Sequence, residues 1–121
     1  MIKKLLYKNA KKTDTFLKKY LAKQTYSDLV PPMKYGTLSG GKKIRSSVVL
    51  GAGKLFNIST VKLLNICAAV ECIHSYSLIH DDLPCMDDDK TRRGKPATHI
   101  KFGESTAILA GNSLLTLAFE M

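Results

Sequence analysis

Two stretches of this chain are apolar on nearly every helical face: VKLLNICAAVECIHSYSLIHDD at 61–82 and ESTAILAGNSLLTLAFEM at 104–121. A helix of that kind is stable only when other elements enclose it. The chain is therefore expected to be all-α, with the first of these helices at its centre. Ser59 or Thr60 can cap that helix, and Pro84 ends or distorts it. Apolar residues at 2, 5, 6, 16, 17, 20 and 21 recur at helical spacing with lysines filling the other faces, which predicts an amphipathic surface helix. Another helix is expected from Lys42 through KKIRSSVVLGAGKLF. The segment 26–41, with two prolines and three glycines, reads as a loop, and so does TRRGKPATHIKFG at 91–103. No segment alternates as a strand would. Two all-round apolar helices in 121 residues leave wide hydrophobic surface uncovered, so the sequence reads as the front portion of something larger.

The charge is informative mainly through its distribution. Of the net +9, residues 1–24 carry +7, from eight lysines against one aspartate. The excess is a basic leading helix rather than a basic domain. It lacks the interleaved arginines and aromatics that stack on bases, which argues against a nucleic-acid partner. Cys67, Cys72 and Cys85 form no paired spacing and, with His74, His80 and His99, match no zinc pattern. They read as free thiols in a reducing compartment. The leading MIKKLLYKNAKK has no apolar run of signal-peptide length, and no stretch reaches the length of a membrane span, so the expected location is the cytoplasm.

The chemistry is concentrated in IHDDLPCMDDDKTRRG, residues 79–94, where Asp81, Asp82, Asp87, Asp88 and Asp89 lie within nine positions. Like charges gathered so closely need a counter-charge. Carboxylates at the end of a buried helix suit Mg²⁺, which takes one or two of them and completes its octahedron with phosphate oxygens and water. Asp81 and Asp82 are about 100° apart on a helix, and Asp87 can rejoin Asp81 only if the chain bulges between them. An EF-hand is excluded by spacing. A His-Asp phosphohydrolase built on His74, His80 and Asp81 lacks the more distant ligands it needs. The second candidate site is SGGKKIR at 39–45. Its glycines let backbone approach an anion, and the following helix offers its N-terminal N–H groups. Lys42 and Arg45 share a helix face, and with Arg92 and Arg93 they form a set of cations suited to phosphate. This is not a Walker loop. Carboxylates for Mg²⁺ beside cations for phosphate imply a diphosphate substrate.

In this order, GGKKIR, ECIHSYSLIHDDLPCMDDD, RRGKPATH and KFGESTAILAGNSLLTLAFE resemble the trans-polyprenyl diphosphate synthases, from about residue 34 onward. The resemblance implies the N-terminal part of the isoprenoid-synthase helical bundle. It implies that Asp81 and Asp87, with Asp82 beside them, hold Mg²⁺ bridged to an allylic diphosphate. It assigns Lys42, Arg45, His74 and Arg93 to isopentenyl diphosphate, and Arg92 to the allylic diphosphate. Lys43 and Ser46 stand where Arg and Pro are usual, Lys90 where an acidic residue is common, and Asn112 where Asp is. Spacing leaves Tyr76 either a core tyrosine or the floor of a prenyl-chain channel. An aromatic at that place, with two extra residues inside the aspartate motif, is the pattern of the bacterial-type farnesyl synthases, which implies the floor.

The implied reaction is a Mg²⁺-dependent condensation of isopentenyl diphosphate with dimethylallyl or geranyl diphosphate, giving farnesyl diphosphate. A geranylgeranyl product is the alternative. The family carries a second aspartate-rich motif downstream, whereas here only Glu104 and Glu120 follow Asp89. The chain is accordingly expected to be a single N-terminal portion, inactive by itself and homodimeric at full length. The competing readings are a non-catalytic remnant or partner subunit, and a basic nucleic-acid module.

Overall fold

The computed structural model describes residues 1–24 and 27–121. Six helices and one short hairpin follow in order: α1 (Ile2–Ala22), α2 (Val30–Leu38), α3 (Ile44–Leu55), α4 (Thr60–Asp81), β1 (Thr91–Arg92), β2 (Lys95–Pro96), α5 (Thr98–Phe102) and α6 (Glu104–Glu120). The expected all-α architecture is what the chain forms. α4 is the hub, packing against α1, α2, α3 and α6. Its inward residues, Leu63, Cys67, Ala68, Cys72, Ser75 and Ile79, recur at helical spacing.

The main core lies among α1, α2, α4 and α6. Leu17 and Leu21 of α1 and Met33 of α2 meet Ala68, Cys72 and Ile79 of α4, with Ala107, Ala110 and Leu114 of α6 opposite. Leu17, Leu21 and Leu114 are fully enclosed, and each such side chain contributes about 1.5–3 kcal/mol by leaving water. A smaller cluster of Leu50, Leu63 and Cys67 joins α3 to α4. Small residues set the spacing. A Cβ on Gly53 would collide with Leu63, and one on Gly111 would collide with His80. All three cysteines are free, Cys67 and Cys72 buried and Cys85 exposed. Burial, reinforced by the charge of Glu71, pushes the Cys72 thiol up to about 12, which keeps it inert.

Two segments expected to be loops contain helix. Pro31 and Pro32 fall in the first turn of α2, where backbone N–H groups have no intrahelical partner and proline costs little. The same prolines had signalled a break. Tyr26, at the start of that expected loop, lies outside the described residues. The 91–103 segment forms the β1–β2 hairpin and then α5. α1, α4 and α6 fall where periodicity places them, and α3 begins two residues after Lys42. α4 is less enclosed than its composition suggests, since Val61, Ile66 and Ile73 remain exposed. Leu55 and Phe56 at the end of α3 and Phe119 on α6 are 81%, 76% and 81% exposed. No described helix is long and apolar enough to cross a membrane.

Candidate functional site

α4 ends at Asp81, and the chain then folds back on the helix end. Asp82 N–H donates to Leu78 O (3.1 Å), while Met86 and Asp88 both donate to Leu83 O (2.9 and 3.0 Å). Two further bonds close the turn: Asp87 N–H to Asp81 O at 2.8 Å and Asp89 N–H to Asp82 O at 3.1 Å. Asp88 takes a left-handed conformation (φ 54°), which aspartate tolerates better than most residues. The turn is the bulge needed to bring Asp87 back beside Asp81. Asp81 is half-buried, and Asp87, Asp88 and Asp89 are exposed.

Asp82 differs from its neighbours. Its side chain is 2% exposed, and Arg92 grips it with two parallel bonds, Nε to Oδ2 at 2.8 Å and Nη2 to Oδ1 at 2.7 Å. The Arg92 guanidinium is held still more firmly in its charged form, first by the bond to Asp82 and then, against the effect of burial, by the charges of Asp82, Asp89 and Asp81. Asp82 is thus neutralised within the protein, and the counter-charge demanded by the other carboxylates must come from elsewhere. Among the described residues no three His, Cys, Asp or Glu side chains converge into a self-sufficient metal cage. Asp81, half-buried, and Asp87, exposed, are joined through their backbones, and a carboxylate from either fits Mg²⁺, which needs only one or two protein oxygens when phosphate supplies others.

The cationic side is built on the loop before α3. Gly40 and Gly41 have φ of 101° and 99°, and Lys43 follows at 45°. The first turn of α3 has no side-chain cap and no acidic residue, so its N–H groups and the helix dipole favour an anion there. Arg93 reaches this loop from the hairpin. Arg93 and Gly94 are the two central residues between Arg92 and Lys95, both with positive φ (53° and 74°), the geometry of a tight hairpin turn. Arg93 Nη1 donates to Gly40 O at 3.0 Å. A Cβ on Gly41 would lie only 2.8 Å from the Arg93 Cζ, so Gly41 must remain glycine for the arginine to sit there.

His74 on α4 faces the same surface. Burial lowers its pKa, the charge of Arg45 lowers it further, Glu71 opposes, and Arg93 and Arg92 add to the lowering. The fold therefore gathers Arg45, His74, Arg92 and Arg93 around one surface, with exposed Lys42 on the adjoining loop. Adjacent arginines on one short hairpin divide the work: Arg92 holds the aspartate end, and Arg93 the glycine loop. Tyr76 lies half-buried against the main core, its ring edge-to-face with His80 (centroids 5.2 Å apart, 81° between planes). His80 in turn bonds through Nε2 to Ile108 O (3.0 Å). That bond ties His80 to α6, whereas His74 belongs to the cationic surface, so the two histidines do not form a shared metal pair.

Some residues of this neighbourhood have no sequence signal. Tyr35 of α2 anchors the hairpin by donating its hydroxyl to Pro96 O at 2.6 Å. Ser46 Oγ donates to the buried Glu71 carboxylate (3.1 Å). A lone acid within the apolar run of α4 is the one hint the sequence gives of that contact. His99 is 5% exposed, and among the described residues neither of its ring nitrogens has a hydrogen-bond partner.

Residues 27–121 match the polyprenyl synthetase family. Over 113 residues the chain is 50% identical to the farnesyl diphosphate synthase of Escherichia coli (strain K12), covering 92% of this chain and 38% of that one. Its fold superposes on a geranyltransferase from Legionella pneumophila with a TM-score of 0.93 at 41% identity, over 98% of this chain and 42% of the other. An FPP/GFPP synthase from Zymomonas mobilis gives 0.91 at 41% identity, over 98% and 43%. The chain thus spans well under half the length of the proteins it matches.

Proposed function

The chain belongs to the polyprenyl synthetase family, and on that premise we propose that it is the N-terminal portion of a prenyltransferase joining isopentenyl diphosphate to an allylic diphosphate. The observation carrying this reading is the arginine pair of the hairpin, one arginine fixed to the aspartate turn and the next to the glycine loop. Two diphosphate-binding surfaces of opposite design are thereby held at a set separation, as a condensation of two diphosphates requires. Asp81 and Asp87 would hold Mg²⁺, whose bound charge stabilises a departing pyrophosphate. Lys42, Arg45 and Arg93, with the N-terminus of α3, receive isopentenyl diphosphate. His74, kept neutral near pH 7 by burial and by neighbouring arginines, offers that substrate a hydrogen bond without adding a further positive charge. Asp82 holds the Arg92 guanidinium beside the aspartate turn, where the allylic diphosphate is received. At full length the protein is taken to be a homodimer.

The product assigned is farnesyl diphosphate (C15). Tyr76 lies five positions before Asp81, about 7.5 Å along the axis of α4, and its ring is steadied by His80. A prenyl tail running down the helix from Asp81 meets that ring as a floor. Completing the chain with the C-terminal portion of the Escherichia coli relative gives a chimera in which this can be tested. Supplied with isopentenyl and geranyl diphosphates and Mg²⁺, it is expected to release mainly C15 product, and its Tyr76→Ala variant a longer one. An unchanged product spectrum in the variant removes Tyr76 from the role, and no prenyl product from the parent chimera removes the activity.

A further inference from the structure

We propose that Lys43, with Asp14, is a positioning residue of the diphosphate loop: its buried ammonium fixes the left-handed turn that carries Lys42 and Arg45. The inference rests on the reading of Lys42, Arg45 and Arg93 as the isopentenyl diphosphate site.

Lys43 lies in the middle of a basic run, GGKKIR, yet it is 8% exposed and turned into the protein. Its Nζ donates to Thr37 O, at the end of α2, at 3.1 Å and to Gly40 O at 3.3 Å. Asp14 Oδ1 on α1 lies 3.0 Å from the same ammonium. That oxygen is shielded from solvent and makes no aligned hydrogen bond among the described residues, so the pairing with Asp14 is coulombic. Two carbonyls take N–H groups of the ammonium and Asp14 faces its charge, so the buried Lys43 head is engaged inside the protein rather than at the substrate surface.

The backbone explains why such a clamp is required. Lys43 has φ 45° and ψ 49°, a left-handed conformation that is strained for a residue bearing a Cβ. Gly40 and Gly41 beside it favour no conformation strongly. Such a turn persists only where its surroundings over-determine it. Lys43 and Arg93 grip the one carbonyl of Gly40 from two sides. α1 reinforces the turn at a second point, through Asn9 Nδ2 to Ser47 Oγ at 3.3 Å, while Ser47 N–H bonds back to Lys43 O at 3.3 Å. Lys43 thus links α1, α2 and the loop, and the cations on either side of it in sequence inherit a fixed position.

Steady-state kinetics on the chimera test this. If the unclamped loop is competent in about a tenth of molecules, apparent affinity falls about tenfold. Lys43→Met is therefore expected to raise the KM for isopentenyl diphosphate about tenfold, with the allylic KM and kcat within twofold of the parent. Lys43→Arg, which can reach the same oxygens, restores most of the loss. Asp14→Asn raises the same KM by a smaller factor in the parent and adds nothing in Lys43→Met. Should Lys43→Met fail to fold, Asp14→Asn and Lys43→Arg carry the test, and no rise in Asp14→Asn overturns the proposal. An unchanged KM in Lys43→Met while Arg45→Ala raises it also overturns the proposal and leaves the site reading standing. Equal losses for both substrates overturn it in favour of a general structural role. An unchanged KM in Arg45→Ala overturns the site reading instead.

Discussion

The aspartate turn and the glycine loop carry opposite charges, and they are held by different means. The turn is closed by its own backbone, with Asp87 and Asp89 bonded to the carbonyls of Asp81 and Asp82. Among the described residues, only the Asp82 carboxylate of the turn has a side-chain partner, Arg92. The loop has left-handed residues and, among the described residues, is gripped by side chains from distant parts of the chain, Lys43 through Asp14 and Arg93 from the hairpin. A turn held by its own backbone can change a side chain without losing shape. A loop held by side chains cannot.

That contrast is sharpest at Asp82, the aspartate of the turn whose loss should damage the fold. Asp82→Ala in the chimera leaves the Arg92 guanidinium, about a third exposed, without its partner. Breaking a buried ion pair from one side costs about 3–5 kcal/mol, and the exposure of Arg92 places the expected loss at the lower end. Thermal melting should show a drop of many degrees for Asp82→Ala and almost none for Asp87→Ala. Similar melting of the two variants would erase the distinction between a structural aspartate and free ones.

A smaller effect is expected on the cationic side. The pKa of His74 is lower in the folded protein than its ordinary 6.5. Between the folded and unfolded values the unfolded chain binds more protons, so stability rises with pH through that window. His74 therefore subtracts stability as pH falls below about 6.5 and has no such effect above it. Comparing melts at pH 5.5 and 7.5, the parent should lose more on acidification than His74→Gln. An equal or smaller loss in the parent would mean that neither burial nor the arginines depress the His74 pKa.

How much of this was legible in the sequence follows the same division. The aspartate cluster and its bulge could be read, because Asp81, Asp87 and Pro84 are neighbours and the helix before them is strongly periodic. The cations Lys42, Arg45, Arg92 and Arg93 could be named from residue type and motif. The inward turn of Lys43 could not, since it depends on Asp14, which is remote in sequence and lies in a helix that reads as solvated lysines. α2 was hidden by Pro31 and Pro32, which punctuate a loop and begin a helix with equal ease. The hairpin rests on strands of two residues each, too short for alternation to register, and on a hydroxyl bond from Tyr35.

On the proposed reading, one surface receives the leaving diphosphate and the other isopentenyl diphosphate. Steady-state kinetics of Asp87→Ala and Arg45→Ala chimeras, each substrate varied in turn at saturating Mg²⁺, test it most directly. Asp87→Ala is expected to lower kcat by at least about a hundredfold, since a metal's charge acts mainly on the departing group. Arg45→Ala is expected to raise the KM for isopentenyl diphosphate alone, by the roughly 1.5–3 kcal/mol of a charged hydrogen bond. Near-normal kcat in Asp87→Ala, or an Arg45→Ala defect confined to the allylic substrate, would contradict it.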